Sequence, residues 1–417
     1  MIKEAKRTFY EKPRFPDIPH NEWKTRIEKA RRLMAANGID CLVLWARENI
    51  RYFFGFMTIH WQVKSLQPAV GIIPADGEAI IVVPELFKGN AEGLCWVENI
   101  WTQSDPIKVK SHREFPKDIA EIIKAIGYGD KNIALEMGPY GGMWIPRPLN
   151  DIDLFRTELP KAAFVDGDGI IWDCRMVKSP LEIERIKTSI SRVAKIEKAI
   201  VERYRPGMME EDLMKIINLE KAEQSGGCLG DDSMGDEHLI CSAEKYPFAD
   251  IKAFEGATIG KRDAIQLVVS LPYKGYTPDN TRRWQVGPVR SEVMKLYEIL
   301  WQAQDNAEAM LRPGVKVNEV YERMFQFVDE GKTAMPAGTE ASTHRGHGTG
   351  LDLQEPPFID PYNERVIEEG MTLSIEPWIN QEKGSFFGIG DTFVVTSAGC
   401  EKIEGLCRDI IQVSNPW

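Results

Sequence analysis

The chain is 417 residues long, more than one hydrophobic core usually serves, so two domains are expected. Its apolar and charged shares, 43% and 28%, are those of an ordinary globular protein. The net charge of −11 is spread along the chain, which argues against nucleic acid or a membrane surface as a partner. The charged stretch Met1 to Arg14 has no signal-peptide core, and no apolar run nears the roughly 20 residues of a membrane span. Seven scattered cysteines without a CxxC pair read as reduced thiols of a cytoplasmic protein.

In chain order, Asn21 to Asn37 has helical periodicity, with Trp23, Ile27, Ala30, Leu33 and Met34 on one face, Asn21 as cap and Gly38 as stop. Ile39 to Trp45 reads as a buried strand. Val70–Ile73 and Ala79–Val83 flank Asp76-Gly77, a hairpin signal. Lys131–Glu136 and Ala163–Val165 read as further short strands, closing one α/β domain over residues 1–170.

The cluster Asp166-Gly167-Asp168-Gly169 marks a break, and a second domain is expected over 171–417. Ser179, Pro180 and Glu182 spell a capping box at the start of a long helix whose stripe runs from Leu181 and Ile186 to Ile200. Two helix–Arg-Pro-Gly–helix passages follow, at Arg205-Pro206-Gly207 and Arg312-Pro313-Gly314, their prolines 107 residues apart. They fit a duplicated unit, and they fit equally a common helix stop used twice. The run Gln224 to Gly235 reads as a long loop or a lid.

Three stretches carry chemistry. His344-Arg345-Gly346-His347-Gly348-Thr349-Gly350 holds two of the six histidines among three glycines, residues that let backbone approach a neighbour closely. Glu376 stands in the apolar strand-like run Met371 to Pro377, where an unpaired charge would cost several kcal/mol, so a partner or a metal is required. Asp279 lies in the turn-rich Gly275–Arg282 segment, and a turn-forming role competes there with a functional one.

Taken together, Arg51-Tyr52-Phe53-Phe54-Gly55, Val177-Lys178-Ser179-Pro180, Gly275-Tyr276 with Asp279 and Thr281-Arg282, Gly346–Leu351 and Ser374–Pro377 resemble the creatinase/prolidase/methionine-aminopeptidase superfamily. The resemblance spans nearly the whole chain. It implies an α/β creatinase-type N-terminal domain followed by an α+β pita-bread catalytic domain. Peptidases of the superfamily hold two divalent ions with five side chains. By resemblance three are present, Asp279, His347 and Glu376, all ligands of the same ion. Val268 stands for the first aspartate and Gly390 for the last glutamate, with Asp391 as a neighbour able to swing in. Asp250 and Gln354 stand where the family has its two substrate-side histidines, and Arg282 is expected to pair with a site carboxylate.

What survives suits one Mn, Fe, Co or Zn ion, or else a metal-free acid/base pair of His347 and Glu376 after the precedent of creatinase. The resulting expectation is a creatinase-like hydrolase cleaving a C–N bond in a small polar molecule, and a poor proline peptidase. The alternatives are a lyase acting on a small carboxylate, an Xaa-Pro dipeptidase-like metallopeptidase, or a binding module. His344, Tyr276, Trp378, His60 and Trp61 are expected to contact substrate. The last two would do so from an N-terminal loop reaching the partner's active site in a homodimer. Trp45 is a further candidate for an aromatic wall.

Overall fold

The structure, a computed structural model, describes residues 3–4, 15–62, 67–103, 115–138, 149–205, 207–225, 238–241, 256–277, 279–381, 386–403, 405 and 408–413. It divides into two compact units, Met1–Arg175 and Met176–Trp417. No helix among the described residues is long and apolar enough to cross a membrane.

The first unit is built on one mixed seven-stranded sheet. An inner strand, Cys41–Leu44, is apolar and buried at every position, the pattern of a strand covered on both sides. That strand runs antiparallel to Val70–Pro74 and parallel to Asn132–Leu135. Val70–Pro74 and Ile80–Pro84 form the expected hairpin, with Gly77 at φ +90° in its turn. The first helix, His20–Ala36, begins one residue before Asn21, and no side chain caps it. Its buried face carries Arg26 among apolar residues; the guanidinium donates to Tyr52 O at 2.9 Å and lies 4.1 Å from the Tyr52 ring. A short helix, Arg47–Phe54, has no periodic signal in the sequence. Its N-terminus is closed by Glu136, whose carboxylate accepts from the backbone N–H of Trp45 at 2.7 Å and of Ala46 at 3.0 Å.

The second unit repeats one plan. Helices Pro180–Arg203 and Glu210–Gln224 precede an antiparallel set, His238–Cys241, Ala264–Val268 and Thr281–Val286. Helices Ser291–Glu308 and Val317–Asp329 precede another, Gly346–Gly348, Thr372–Ile375 and Asp391–Val395. The junctions match in detail. Gly207 and Gly314 have φ of +89° and +92°. Met209 and Lys316, each extended and each ahead of an acidic third helical residue, bridge to Thr258 and Val366. Of the two readings of the Arg-Pro-Gly passages, this agreement favours the duplicated unit. The capping box is formed as the sequence spells it: Glu182 N–H donates to Ser179 Oγ, and Ser179 N–H to Glu182 Oε2.

Strand alternation decides which residues reach the site. Ile265, Leu267 and Val269, with Trp284 and Val286, join Ile196, Ile200, Leu213 and Ile217 in the core beneath the helices. Gln266, Val268, Asp279 and Thr281 therefore lie on the opposite face. The two strand sets join at Thr281 and Gly390, which exchange both backbone hydrogen bonds at 3.2 and 3.1 Å.

Candidate metal centre

The three chemistry-bearing stretches converge at this seam. His347 lies on the strand Gly346–Gly348, fully buried and paired with Ser374. Gly346 makes that pairing possible. Its φ is +138°, and a Cβ there would run into Ser374 O. Glu376 leaves the end of the neighbouring strand, its N–H donating to Arg345 O at 3.0 Å. The backbone of Asp279 is fixed through its carbonyl, which accepts from Thr392 Oγ1 at 2.9 Å and Ser374 Oγ at 3.4 Å.

His347 Nδ1–H donates to Gly348 O at 2.9 Å, so Nε2 is the atom presented to the carboxylates. It lies 3.1 Å from Asp279 Oδ2 and 3.4 Å from Glu376 Oε2. It is thus in ion-pair contact with both carboxylates, while Asp279 Oδ1 is buried without a hydrogen-bond partner among the described residues. His344 Nε2 stands 3.0 Å from Glu376 Oε2, and Thr281 Oγ1 donates to Glu376 Oε1 at 3.3 Å. One ligand atom from each of His344, His347 and Glu376 falls within 4.8 Å of the others.

The electrostatics match the geometry. Burial opposes a charged His347, but Asp279 and Glu376 outweigh it and push its pKa up to about 10. Burial and the Glu376 carboxylate raise Asp279 to about 6 against the pull of His347. Burial would raise Glu376 too, but His344 and His347 hold it below the ordinary carboxylate range. The side chains alone thus concentrate negative potential on a proton at His347, and a divalent cation would compete for the same place. Imidazole and carboxylate groups converging on a common buried point fit one such ion.

Among the described residues, the two positions that would serve a second ion hold no ligand. Val268, on the site face of its strand, offers no ligand atom. A Cβ on Gly390 would lie 2.8 Å from Glu376 Oε1, so Glu376 itself fills the space. Asp391 does not swing in as the sequence allowed. Its Oδ1 pairs with Arg282 at 2.5 Å and its Oδ2 with Lys402 at 2.8 Å. Arg282 thus pairs with the carboxylate beside the site and not with one inside it.

Tyr276 is buried and donates from its hydroxyl to Glu182 Oε1 at 2.8 Å, so it braces the helix cap and presents no ring to substrate. Trp378 is half-buried, its ring lying against Gly388 of the adjacent strand. Gln354 is exposed on the loop after the glycine strand. Asp250 and residues 226–235 lie outside the described residues. In the N-terminal unit, Trp45 is a core residue against Phe155, while His60 packs on Phe87 at 5.0 Å beside half-buried Trp61. Thr281 and Arg345 were not expected as site residues. In the sequence each stands near a cluster residue, but only the fold shows what each one holds.

Fold and site together define a protein of two α/β units with an imidazole–carboxylate cluster buried in the second. Residues 184–397 match the model of metallopeptidase family M24, and residues 26–177 match the creatinase/prolidase N-terminal domain. The chain belongs to metallopeptidase family M24. It is 26% identical to the Xaa-Pro dipeptidase of Pyrococcus furiosus over 93% of this chain and 100% of that one. It is also 26% identical to the Xaa-Pro dipeptidase of Pyrococcus horikoshii, over 93% and 98%. Among solved structures, the X-Pro aminopeptidase of Thermotoga maritima superposes with a TM-score of 0.76 at 21% identity, covering 93% of this chain and 99% of its own. The prolidase of Pyrococcus horikoshii gives 0.74 at 23% identity, covering 93% and 100%. These relatives correct the expectation of a creatinase-like hydrolase, because proteins matching along the full length are named for Xaa-Pro peptide bonds.

Proposed function

We propose that this protein is an Xaa-Pro dipeptidase-type hydrolase that works with one divalent ion, Mn, Fe, Co or Zn, held by Asp279, His347 and Glu376. The observation that carries the reading is His347 Nε2, fully buried and facing two carboxylate oxygens at 3.1 and 3.4 Å. A bound ion there would supply Lewis-acid polarisation of the scissile carbonyl. The chain's own residues supply the rest. Thr281 and the Arg345 carbonyl orient Glu376, and the Gly348 carbonyl fixes the His347 tautomer. His344, with 41% of its side chain exposed and 3.0 Å from Glu376, carries the proton from the attacking water to the departing nitrogen.

The resemblance also supports a homodimer in which His60 and Trp61 face the partner's site; Ile59, next to them, is 63% exposed. Light scattering should then give twice the 47.3 kDa chain mass.

The reading is tested by assaying Xaa-Pro dipeptides against Mn²⁺, Co²⁺, Zn²⁺ and Fe²⁺ with bound metal measured in parallel. One ion per chain, and turnover lost by at least about 100-fold in His347→Ala, are expected. Two ions per chain, or no cleavage of any Xaa-Pro dipeptide with any of the four metals, would overturn it.

A further inference from the structure

Arg345 stands between His344 and the glycine strand, yet its side chain turns away from the cluster. It is 8% exposed. Its guanidinium is stacked between two rings, 4.3 Å from that of Tyr321 and 4.4 Å from that of Phe325. Its Nε donates to Ser342 O at 2.9 Å and its Nη1 to Tyr321 O at 3.2 Å. Tyr321 and Phe325 are one turn apart on the helix Val317–Asp329, and that helix is broken at Phe325, where φ and ψ are −112° and 15°. A side chain that takes a helix carbonyl is a recognised cause of such a break. The break and the arginine therefore belong to one arrangement.

The backbone of the same residue faces the site. Arg345 O accepts the N–H of Glu376, and the next residue, Gly346, pairs with Ile375. On its other side, His344 N–H donates to Ser342 Oγ while the ring meets Glu376. One guanidinium thus fixes the segment from which both His344 and Glu376 take their positions. We propose that Arg345 is a positioning residue for the metal centre, locking residues 342–346 to the helix Val317–Asp329 so that Glu376 presents its carboxylate to the ion with His344 held beside it.

This inference rests on the one-ion reading above. A planar fork between two rings is what the site requires, and lysine keeps the charge without the fork.

The experiment titrates Co²⁺ alone into the full chain, by calorimetry and visible absorption, for wild type, Arg345→Lys and Arg345→Ala, with melting curves alongside. Both variants should bind Co²⁺ roughly 10- to 100-fold more weakly, the range for residues that orient ligands. Low, non-denaturing guanidinium should restore part of the affinity in Arg345→Ala, where the slot between the rings is open, and none in Arg345→Lys. Wild-type Co²⁺ affinity in both variants overturns the proposal. If Arg345→Ala fails to fold, wild-type affinity in a folded Arg345→Lys does the same. A wild-type chain that binds no Co²⁺ sinks the one-ion reading, and this proposal with it. Weak binding in the variants beside tight binding in the wild type supports both.

Discussion

Glu197 sits in the middle of the helix Pro180–Arg203, fully buried, with neither carboxyl oxygen hydrogen-bonded among the described residues. Burial raises its pKa from 4.5 to about 7; Arg282 pulls against that and Asp391 adds to it. Between those two values the folded protein holds a proton that the unfolded chain has released, so stability falls as pH rises through that window and is level above it. Glu197→Gln removes the titration. Denaturant unfolding should show the variant more stable than wild type at pH 8 by about 3 kcal/mol, and by much less at pH 5. An equal effect at both pH values would mean that Glu197 does not titrate. Glu197 is invisible in the sequence, where it is one acidic residue in an amphipathic helix. Asp279, His347 and Glu376 were legible because each stands in a short stretch whose glycine, proline or apolar neighbours restrict it. Tyr276 is the opposite case: an aromatic residue near Asp279 can turn to either face, and only the hydrogen bond from its hydroxyl to the Glu182 carboxylate says which.

At the scale of elements, local chemistry was readable wherever it is self-contained. The Ser179–Glu182 box and the Asp76-Gly77 hairpin need only residues near in sequence, and both form. The helix Arg47–Phe54 depends on Glu136, some ninety residues away, and left no periodic trace. The break at Phe325 depends on Arg345 in the same way. The strand Gly346–Gly348 lies between these cases. Its glycines announced a close approach of backbone, and the structure shows to what: Ser374 O at Gly346 and Pro356 O at Gly348. Gly346→Ala puts a Cβ into that carbonyl at a φ that L-residues avoid. It should cost at least about 2 kcal/mol and loosen His347 at the same time. Thermal melting and Co²⁺ titration of the variant read the two effects separately. A variant with wild-type melting and wild-type ion affinity would show that the strand tolerates a side chain there.

Across the whole molecule, the catalytic unit is one helix-pair-and-sheet plan used twice, with the cluster where the two copies meet. The Arg-Pro-Gly junctions made the doubling visible, but a sequence does not say that Thr281 and Gly390 join the halves. That join explains the cluster's composition. Asp279 comes from the first copy and His347 and Glu376 from the second, so negative charge from both halves is drawn to one buried point. Such a seam is held more tightly once a cation bridges it, because an ion that binds only the folded state adds RT ln(1 + [L]/Kd) to stability. At Co²⁺ or Mn²⁺ about 100 times its Kd the gain is about 2.7 kcal/mol, a rise in melting temperature of roughly 5 to 10 °C for a unit of this size. Chelator should reverse the rise, and His347→Ala should abolish it without removing the folded state. The shift should also grow with pH, because His347 and the ion compete for one position and the proton must leave first. A melting temperature indifferent to divalent ions and chelator would mean that the halves are held by protein contacts alone, with Asp279, His347 and Glu376 serving as a protonated ion-pair cluster.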